Sequence, residues 1–189
     1  MKIKVLRGII VFLLVLSCIR IGCRDAFCAS PVRIVSLAPS ITEILFDLGA
    51  GDRIAAVTDF CDYPAAAKRK PKIGGFANPS LEAVVAARPD LVIMAEDGNP
   101  AELYQKLGKF GIKTYVFWAK RLAELPQGIR DLGAALGMKG RAEKQASDIE
   151  KQLSALEKRT KFSARRQKAR KVLFVIHPEP LLVAGRETV

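Results

Sequence analysis

Four short apolar runs, 33–37 (RIVSL), 54–57 (IAAV), 91–95 (LVIMA) and 113–117 (KTYVF), are separated by segments that carry helix-start and helix-stop signals. Such runs suit strands and are too short for buried helices. Hydrophobicity that is continuous rather than alternating marks strands covered on both faces, as in a parallel sheet. Alternation of strands with helices at this spacing predicts an α/β fold built as a doubly wound parallel-sheet lobe.

The intervening segments read as helices. Ser40-Ile41-Thr42-Glu43 has the form of a capping box, opening a helix that buries Ile41, Ile44, Leu45 and Leu48 and stops at Gly49 and Gly51. Asn78-Pro79 reads as an N-cap followed by proline in the first helical position, and Asn99-Pro100 repeats the device. Residues 121–136 place Leu122, Leu125, Ile129, Leu132 and Leu136 on one side of a helix whose true start is drawn toward Pro126.

From residue 139 to about 166 no breaker follows Gly140, and Ala142, Ala146, Ile149, Leu153 and Leu156 keep a 4-3-4-3 rhythm. A helix of ~28 residues is ~42 Å long, the span of a small domain. A further strand, 171–176 (KVLFVI), then begins without a partner for its ladder, and a hairpin alone is marginal in water. The predicted organisation is a leader at 1–30, an α/β lobe at 31–137, a connecting helix at 138–168 and the opening strands of a second, truncated lobe at 169–189.

The leader has a basic start (Lys2, Lys4, Arg7) and an apolar stretch at 8–17, too short to span a bilayer. Three outcomes stay open: lipidation of Cys18 after the lipobox-like Val15-Leu16-Ser17, cleavage around Cys28-Ala29-Ser30, or retention with Arg20 and Arg24 as a stop. All three place the rest of the chain in the periplasm or on the outer face of the cytoplasmic membrane. Of four cysteines only Cys61 falls securely in the folded part, where it reads as a small buried hydrophobe, and no Cys/His set has metal-site spacing. The net charge of +12 is concentrated in the leader and in 139–171, where twelve basic residues face four acids. That face has no interleaved aromatics apart from Phe162, so it reads as a solvated helix surface and not as a nucleic-acid site. The basic stretch 68–72 (KRKPK) likewise reads as a solvent turn.

The candidate site is the pair of loops in DFCDYP (59–64) and GGFANP (74–79). Aromatic faces at strand ends are how an open α/β sheet offers a ligand a flat surface. Phe60 and Phe76 supply the faces. Asp62 and Tyr63 are placed to meet polar groups or to close the turn with Pro64, and Gly75 lets the backbone approach closely. The glycines lack dinucleotide-fingerprint spacing, and there is no nucleophile elbow, His–carboxylate pair or phosphate-binding loop, so no enzyme is predicted. The single histidine, His177, is either a loop residue or an axial ligand for cobalt or haem iron.

From Pro31 to Val189 the chain resembles the class III substrate-binding proteins of ABC importers, and within them the cobalamin-binding members. The resemblance is carried by RIVSLAPSITEILFDLGAGDRIAAVT, DFCDYP, KIGGFANPSLEAVVAARPDLVI, GIKTYVF, the long helix and VLFVIHPEPLLVAGRETV. It implies two α/β lobes joined by a rigid helix, a cobalamin or other corrinoid held between them as transported ligand, and no catalytic cofactor. It also implies delivery by a monomer to an ABC permease and its ATPase. Phe60 and Phe76 take the positions of ring-contacting aromatics, which are a tyrosine and a tryptophan in the cobalamin-binding members, and Leu182 takes that of a third. Glu82 takes that of a carboxylate that docks on the permease. A haem or iron-siderophore binder of the same class, or a truncated receptor with no working cleft, are the alternatives.

Overall fold

A computed structural model describes residues 31–164, 173, 175–177 and 182–183. The leader, with Cys18, lies outside the described residues. Strands β1 (Ile34–Ser36), β2 (Ile54–Val57), β3 (Leu91–Ala95) and β4 (Thr114–Phe117) form one parallel sheet in the order β2-β1-β3-β4. Ile34 pairs with both Ile54 and Leu91, and Val92 with Thr114. The chain runs outward from β1 to β2, returns across to β3, and runs outward again to β4. The direction therefore reverses between β1 and β3. This is the α/β architecture expected from the alternating runs.

The sheet is buried on both faces because side chains alternate along each strand. Ile34, Ile54, Leu91, Ile93 and Phe117 join Ile41 and Leu45 of helix α1 (Pro39–Asp47) and Leu48, which caps its end, in one core, with Ile129, Leu132 and Leu136 of the helix α5 (Leu125–Ala135) region. Val35, Ala56, Val92 and Met94 face the other way, toward Val84 of α3 (Leu81–Ala86) and Leu103 and Leu107 of α4 (Ala101–Lys109). A one-turn helix, α2 (Ala65–Lys68), follows the first aromatic loop. A 3-10 turn at Leu122–Glu124 leads into α5, close to the start suggested by Pro126.

Three helix starts depart from the sequence expectation. At α1 the helix begins on Pro39, with Ala38 as an extended N-cap that makes no side-chain bond, so Ser40 is not a cap. Proline's fixed φ favours the first helical position and overrides the capping box one residue later. At α3 the cap is Ser80, whose hydroxyl accepts from the Ala83 amide at 3.2 Å; Asn78 and Pro79 stay outside because Pro79 bridges Gly74. At α4 the N-cap is Pro100, and the Asn99 side chain is used elsewhere. The basic turn is not simply solvent. The Lys72 ammonium donates to the Thr58 and Cys61 carbonyls at 3.2 and 2.9 Å, while its backbone pairs in parallel with Val57.

Helix α6 (Lys139–Ala164) has 26 residues, ~39 Å at ~1.5 Å per residue. Ala142 and Ala146 are buried, and a Cβ on Gly133 would collide with that of Ala142, so α5 and α6 cross closely. Arg141 donates to the Leu48 carbonyl and Arg53 to the Leu136 carbonyl, each closing another helix's end. Residues 154–160 are exposed all round. Beyond, β5 (Val175–His177) pairs antiparallel with β6 (Leu182–Val183), so the strand expected to be unpartnered has a short partner. No helix among the described residues is long and apolar enough to cross a membrane.

The α5–α6 crossing is fastened by Arg130, whose guanidinium forks onto Glu143 at 2.9 and 3.0 Å and Glu150 at 2.7 and 3.1 Å. Its hydrogen bonds hold both carboxyls below the usual carboxylate range. A lowered folded-state pKa stabilises above the unfolded value and is lost as pH falls through the folded one. Arg130→Ala should therefore lower the melting temperature at neutral pH, and the gap from wild type should close in acid as the two glutamates protonate. Circular dichroism melts across pH 2–7 check this; a gap that persists unchanged in acid contradicts it.

Candidate functional site

All the loops at the carboxyl ends of the parallel strands open on one edge, and this edge holds the candidate site. In open α/β sheets ligands bind there, beside the point where strand order reverses. In this chain that point lies between β1 and β3.

The loop after β2 begins in a buried line of small polar groups. The Thr42 hydroxyl lies 2.8 Å from Ser36 Oγ and 3.1 Å from Cys61 Sγ, and Thr58 Oγ1 is also 3.1 Å from that sulfur. All four residues are buried. Cys61 is thus a buried polar link tying the loop to β1 and α1, more than the hydrophobe expected. Held from below by this line and by Lys72, the loop raises Phe60 and Tyr63, each 66% exposed, with Asp62 exposed between them.

The second aromatic loop lies alongside. Asp59 donates its amide to the Gly74 carbonyl at 2.9 Å, and a Cβ on Gly75 would stand 3.9 Å from the Phe60 ring. The Phe76 ring is half-buried, packed on the core and over Gly98. Gly98 has φ +98°, and a Cβ there would collide with the ring, so glycine is required on both counts. The structure thus brings Phe60, Asp62, Tyr63, Gly75 and Phe76 together on one rim.

Asn99 fixes that rim. Its side chain is 9% exposed by residue and makes three bonds: Oδ1 accepts from the Ala95 amide at 2.8 Å, and Nδ2 donates to the Leu37 carbonyl at 3.0 Å and the Phe76 carbonyl at 2.8 Å. It joins the ends of β1 and β3 to the second aromatic loop. Sequence reading assigned it only a helix cap. Its position right after an apolar strand, in Asp97-Gly98-Asn99-Pro100, was the available signal.

The loops after β3 and β4 add residues that sequence reading missed. Trp118, the sole tryptophan of the chain, is 59% exposed, and the Lys120 ammonium lies 5.2 Å from its ring centroid. Lys120 also pairs with Glu96 at 2.9 Å. Between these loops and the first turns of α1 is a cavity of about 350 Å³ lined by Ser40, Ile44, Glu96, Asp97, Phe117 and Lys120 among others. A lone tryptophan just past a strand was the visible cue.

Glu82 stands exposed in the first turn of α3, away from these contacts. Its own backbone amide and then the Ser80 hydroxyl, 3.0 Å away, hold its carboxyl below the usual range, with a smaller contribution from Lys106. Leu182 and His177 are described as backbone only, facing one another across the β5–β6 ladder. Among the described residues no group of three His, Cys, Asp or Glu side chains gathers to hold a metal ion.

Residues 34–189 match the periplasmic binding protein family. The chain belongs to that family. Among curated relatives, the vitamin B12-binding protein of Vibrio vulnificus (strain CMCP6) is 40% identical over 105 residues, which is 55% of this chain and 38% of the relative. That of Pectobacterium atrosepticum is 30% identical over 167 residues, 88% of this chain and 60% of the relative. The solved periplasmic vitamin B12 binding protein of Vibrio cholerae superposes with a TM-score of 0.73 at 27% identity, covering 84% of this chain and 61% of that one. A periplasmic heme binding protein from Pseudomonas aeruginosa does so with a TM-score of 0.75 at 31% identity, covering 82% and 57%. The chain thus spans between 38% and 60% of the length of these two curated relatives. The class inferred from the sequence and its cobalamin-binding likeness agree with these matches.

Asn99→Ala removes three bonds and leaves the Leu37 carbonyl, the Ala95 amide and the Phe76 carbonyl without partners. The expected cost is about 3 kcal/mol, since unsatisfied buried polar groups cost roughly 1–3 kcal/mol each and relaxation recovers part of that. Asn99→Asp, which keeps only the acceptor, should recover little. Urea unfolding measures both, and a loss below about 0.5 kcal/mol, the range of ordinary surface substitutions, contradicts the bridging role.

Proposed function

We propose that this chain is the ligand-capturing N-terminal part of an extracytoplasmic substrate-binding component of an ABC importer, and that its ligand is cobalamin or a related corrinoid. Lobe 31–137, helix 138–168 and the strands from 169 onward are then the first lobe, the connector and the opening of the second lobe. The protein acts as a monomer in the periplasm or on the outer face of the cytoplasmic membrane, close to the bilayer through its leader. It hands its ligand to a permease and its ATPase, and no catalysis is involved.

The observation that carries this reading is the rim of exposed Phe60 and Tyr63, half-buried Phe76 and exposed Trp118 on the ligand-binding edge of the sheet. A corrinoid has broad apolar faces ringed by amides. Burying those faces against aromatics gains on the order of 25 cal/mol per Å² removed from water, while the loop backbone and Asp62 can meet the amides. The vitamin B12-binding names of the curated relatives support it. A haem ligand is the second reading, favoured by the likeness to the heme binding protein of Pseudomonas aeruginosa. An iron-siderophore reader usually places arginines against carboxylates or catecholates, and the aromatic loops do not offer them.

Titration calorimetry of cyanocobalamin tests the ligand, using the chain from Pro31 beside a version extended through the reading frame that follows residue 189. Tight binding by the extended chain is expected, weakened about tenfold to a hundredfold by Phe60→Ala, as for a central aromatic contact. Binding by the extended form alone means that the cleft needs both lobes. If neither form binds, the corrinoid reading falls, and haem and ferric siderophores are titrated next.

Glu82 is proposed as a contact for a permease cation. Glu82→Gln should leave cyanocobalamin affinity unchanged while weakening stimulation of the reconstituted transporter's ATPase by about tenfold, the size of one interfacial charge pair. Undiminished stimulation removes Glu82 from the docking face.

A further inference from the structure

We infer that Glu96 and Lys120 form a reader for a primary amide, placed so that the site accepts amide-bearing and rejects carboxylate-bearing arms on the edge of a ring ligand. The inference rests on the corrinoid reading above and names the chemistry by which the same edge would separate a corrinoid from its acid derivatives.

Three features carry it. First, the pair lines the cavity of about 350 Å³ at the ends of β3 and β4, within the ~300–1,000 Å³ range of small-ligand clefts. A single propionamide arm is far smaller. Second, the Glu96 carboxylate is only half satisfied. One oxygen accepts from Lys120 at 2.9 Å, while Oε2 is closed off from solvent with no hydrogen-bond partner among the described residues. The last torsion of a glutamate is broad, so a modest turn offers this oxygen to a donor in the cavity without releasing Lys120. Third, Lys120 is held in place yet retains donors. Its ammonium sits over the Trp118 ring and on Glu96, and its side chain is still 53% exposed. An ammonium has three N–H groups, and one bond to Glu96 leaves two.

The pair thus presents an acceptor lacking a donor beside a donor with bonds to spare. A primary amide is the complement of both: its N–H groups donate to Glu96 and its carbonyl accepts from Lys120. A carboxylate arm has no N–H to give and so leaves Glu96 Oε2 without a donor; Asp97 and Arg121, both on the same wall, bring opposite charges, and the discrimination rests on that missing donor. Specificity here comes from leaving the wrong ligand's partner unsatisfied, which discriminates more strongly than pocket size does.

The test compares cyanocobalamin with its separated monocarboxylates, in each of which one peripheral propionamide has been hydrolysed. Each is titrated into the chain carrying its downstream extension. The wild type should bind cyanocobalamin at least about tenfold more tightly than the monocarboxylate whose acid enters this cavity. Glu96→Gln, which removes the negative charge and frees Lys120, should narrow that ratio to near unity or invert it, and Lys120→Met should weaken cyanocobalamin while leaving the acid rejected. A merely structural role for Glu96 would weaken all ligands alike and leave the ratio unchanged, and that result overturns the inference. Equal binding of amide and acid by the wild type also overturns it while the corrinoid reading stands. Absence of any corrinoid binding removes both.

Discussion

The arrangement of the candidate ligand edge depends on the amide of Asn99. Where strand order reverses, β1 and β3 lie side by side, but the chain leaves them in opposite directions. No crossover connection covers their carboxyl ends, so the Leu37 carbonyl and the Ala95 amide need a partner that is not a strand. Asn99 supplies acceptor and donor at once and spends its second N–H on the Phe76 carbonyl. One side chain therefore satisfies the sheet and sets the height of an aromatic loop. An aspartate offers no donor and a leucine offers nothing, so the amide is suited to the position in a way that size alone does not explain. Gly98 follows from this: with Asn99 turned inward, the preceding residue has φ +98° and lies under the Phe76 ring.

What the sequence made legible, and what it hid, divides along the range of the interactions. Strand positions were legible because burial on both faces writes continuous apolar runs, and 54–57 and 91–95 match the strands residue for residue. The long helix was legible because nothing breaks it. The aromatic loops were legible as places because DFCDYP and GGFANP interrupt the pattern. Helix caps were misread because a capping signature is local, whereas the choice among Ser40, Pro39 and Ala38 is made by where β1 delivers the chain. Asn99, Lys72 and Glu96 were hidden for a related reason. Each acts on a partner distant in sequence, such as Leu37, Thr58 or Lys120, and polar side chains in loops look alike until their partners are known.

The two ends of α6 show the same division within one element. Its apolar rhythm is uniform from Ala142 to Leu156, yet only Ala142 and Ala146 are fully buried, and Leu156 is 50% exposed. The rhythm marks a face but does not say how far that face is covered. Coverage is set by α5, which ends at Ala135, by the close Gly133–Ala142 crossing, and by the Arg130 fork onto Glu143 and Glu150. Beyond that fork Leu153 and Leu156 border a groove with Leu122 and Ala123.

The candidate ligand edge is chemically two-sided, and this bounds what can lie across it. The β2 side offers aromatic faces on Phe60, Tyr63 and Phe76. The β3–β4 side offers Trp118, the Glu96–Lys120 pair and Asp97 around a cavity. A small polar solute would leave the aromatic half unused, and a purely apolar one would strip water from the charged half without replacing it, at the cost of unpaired buried charge. A large disc with apolar faces and a polar margin meets both halves at once. Among such discs, one edged by carboxylates meets Lys120 and Arg121 but also puts like charge against Glu96 and Asp97, and it leaves Glu96 Oε2 without a donor. One edged by amides pays no such repulsion and can satisfy both members of the pair. On hydrogen-bonding grounds the Glu96–Lys120 pair therefore suits an amide margin better than an anionic one, and the aromatic half adds affinity for either without telling them apart.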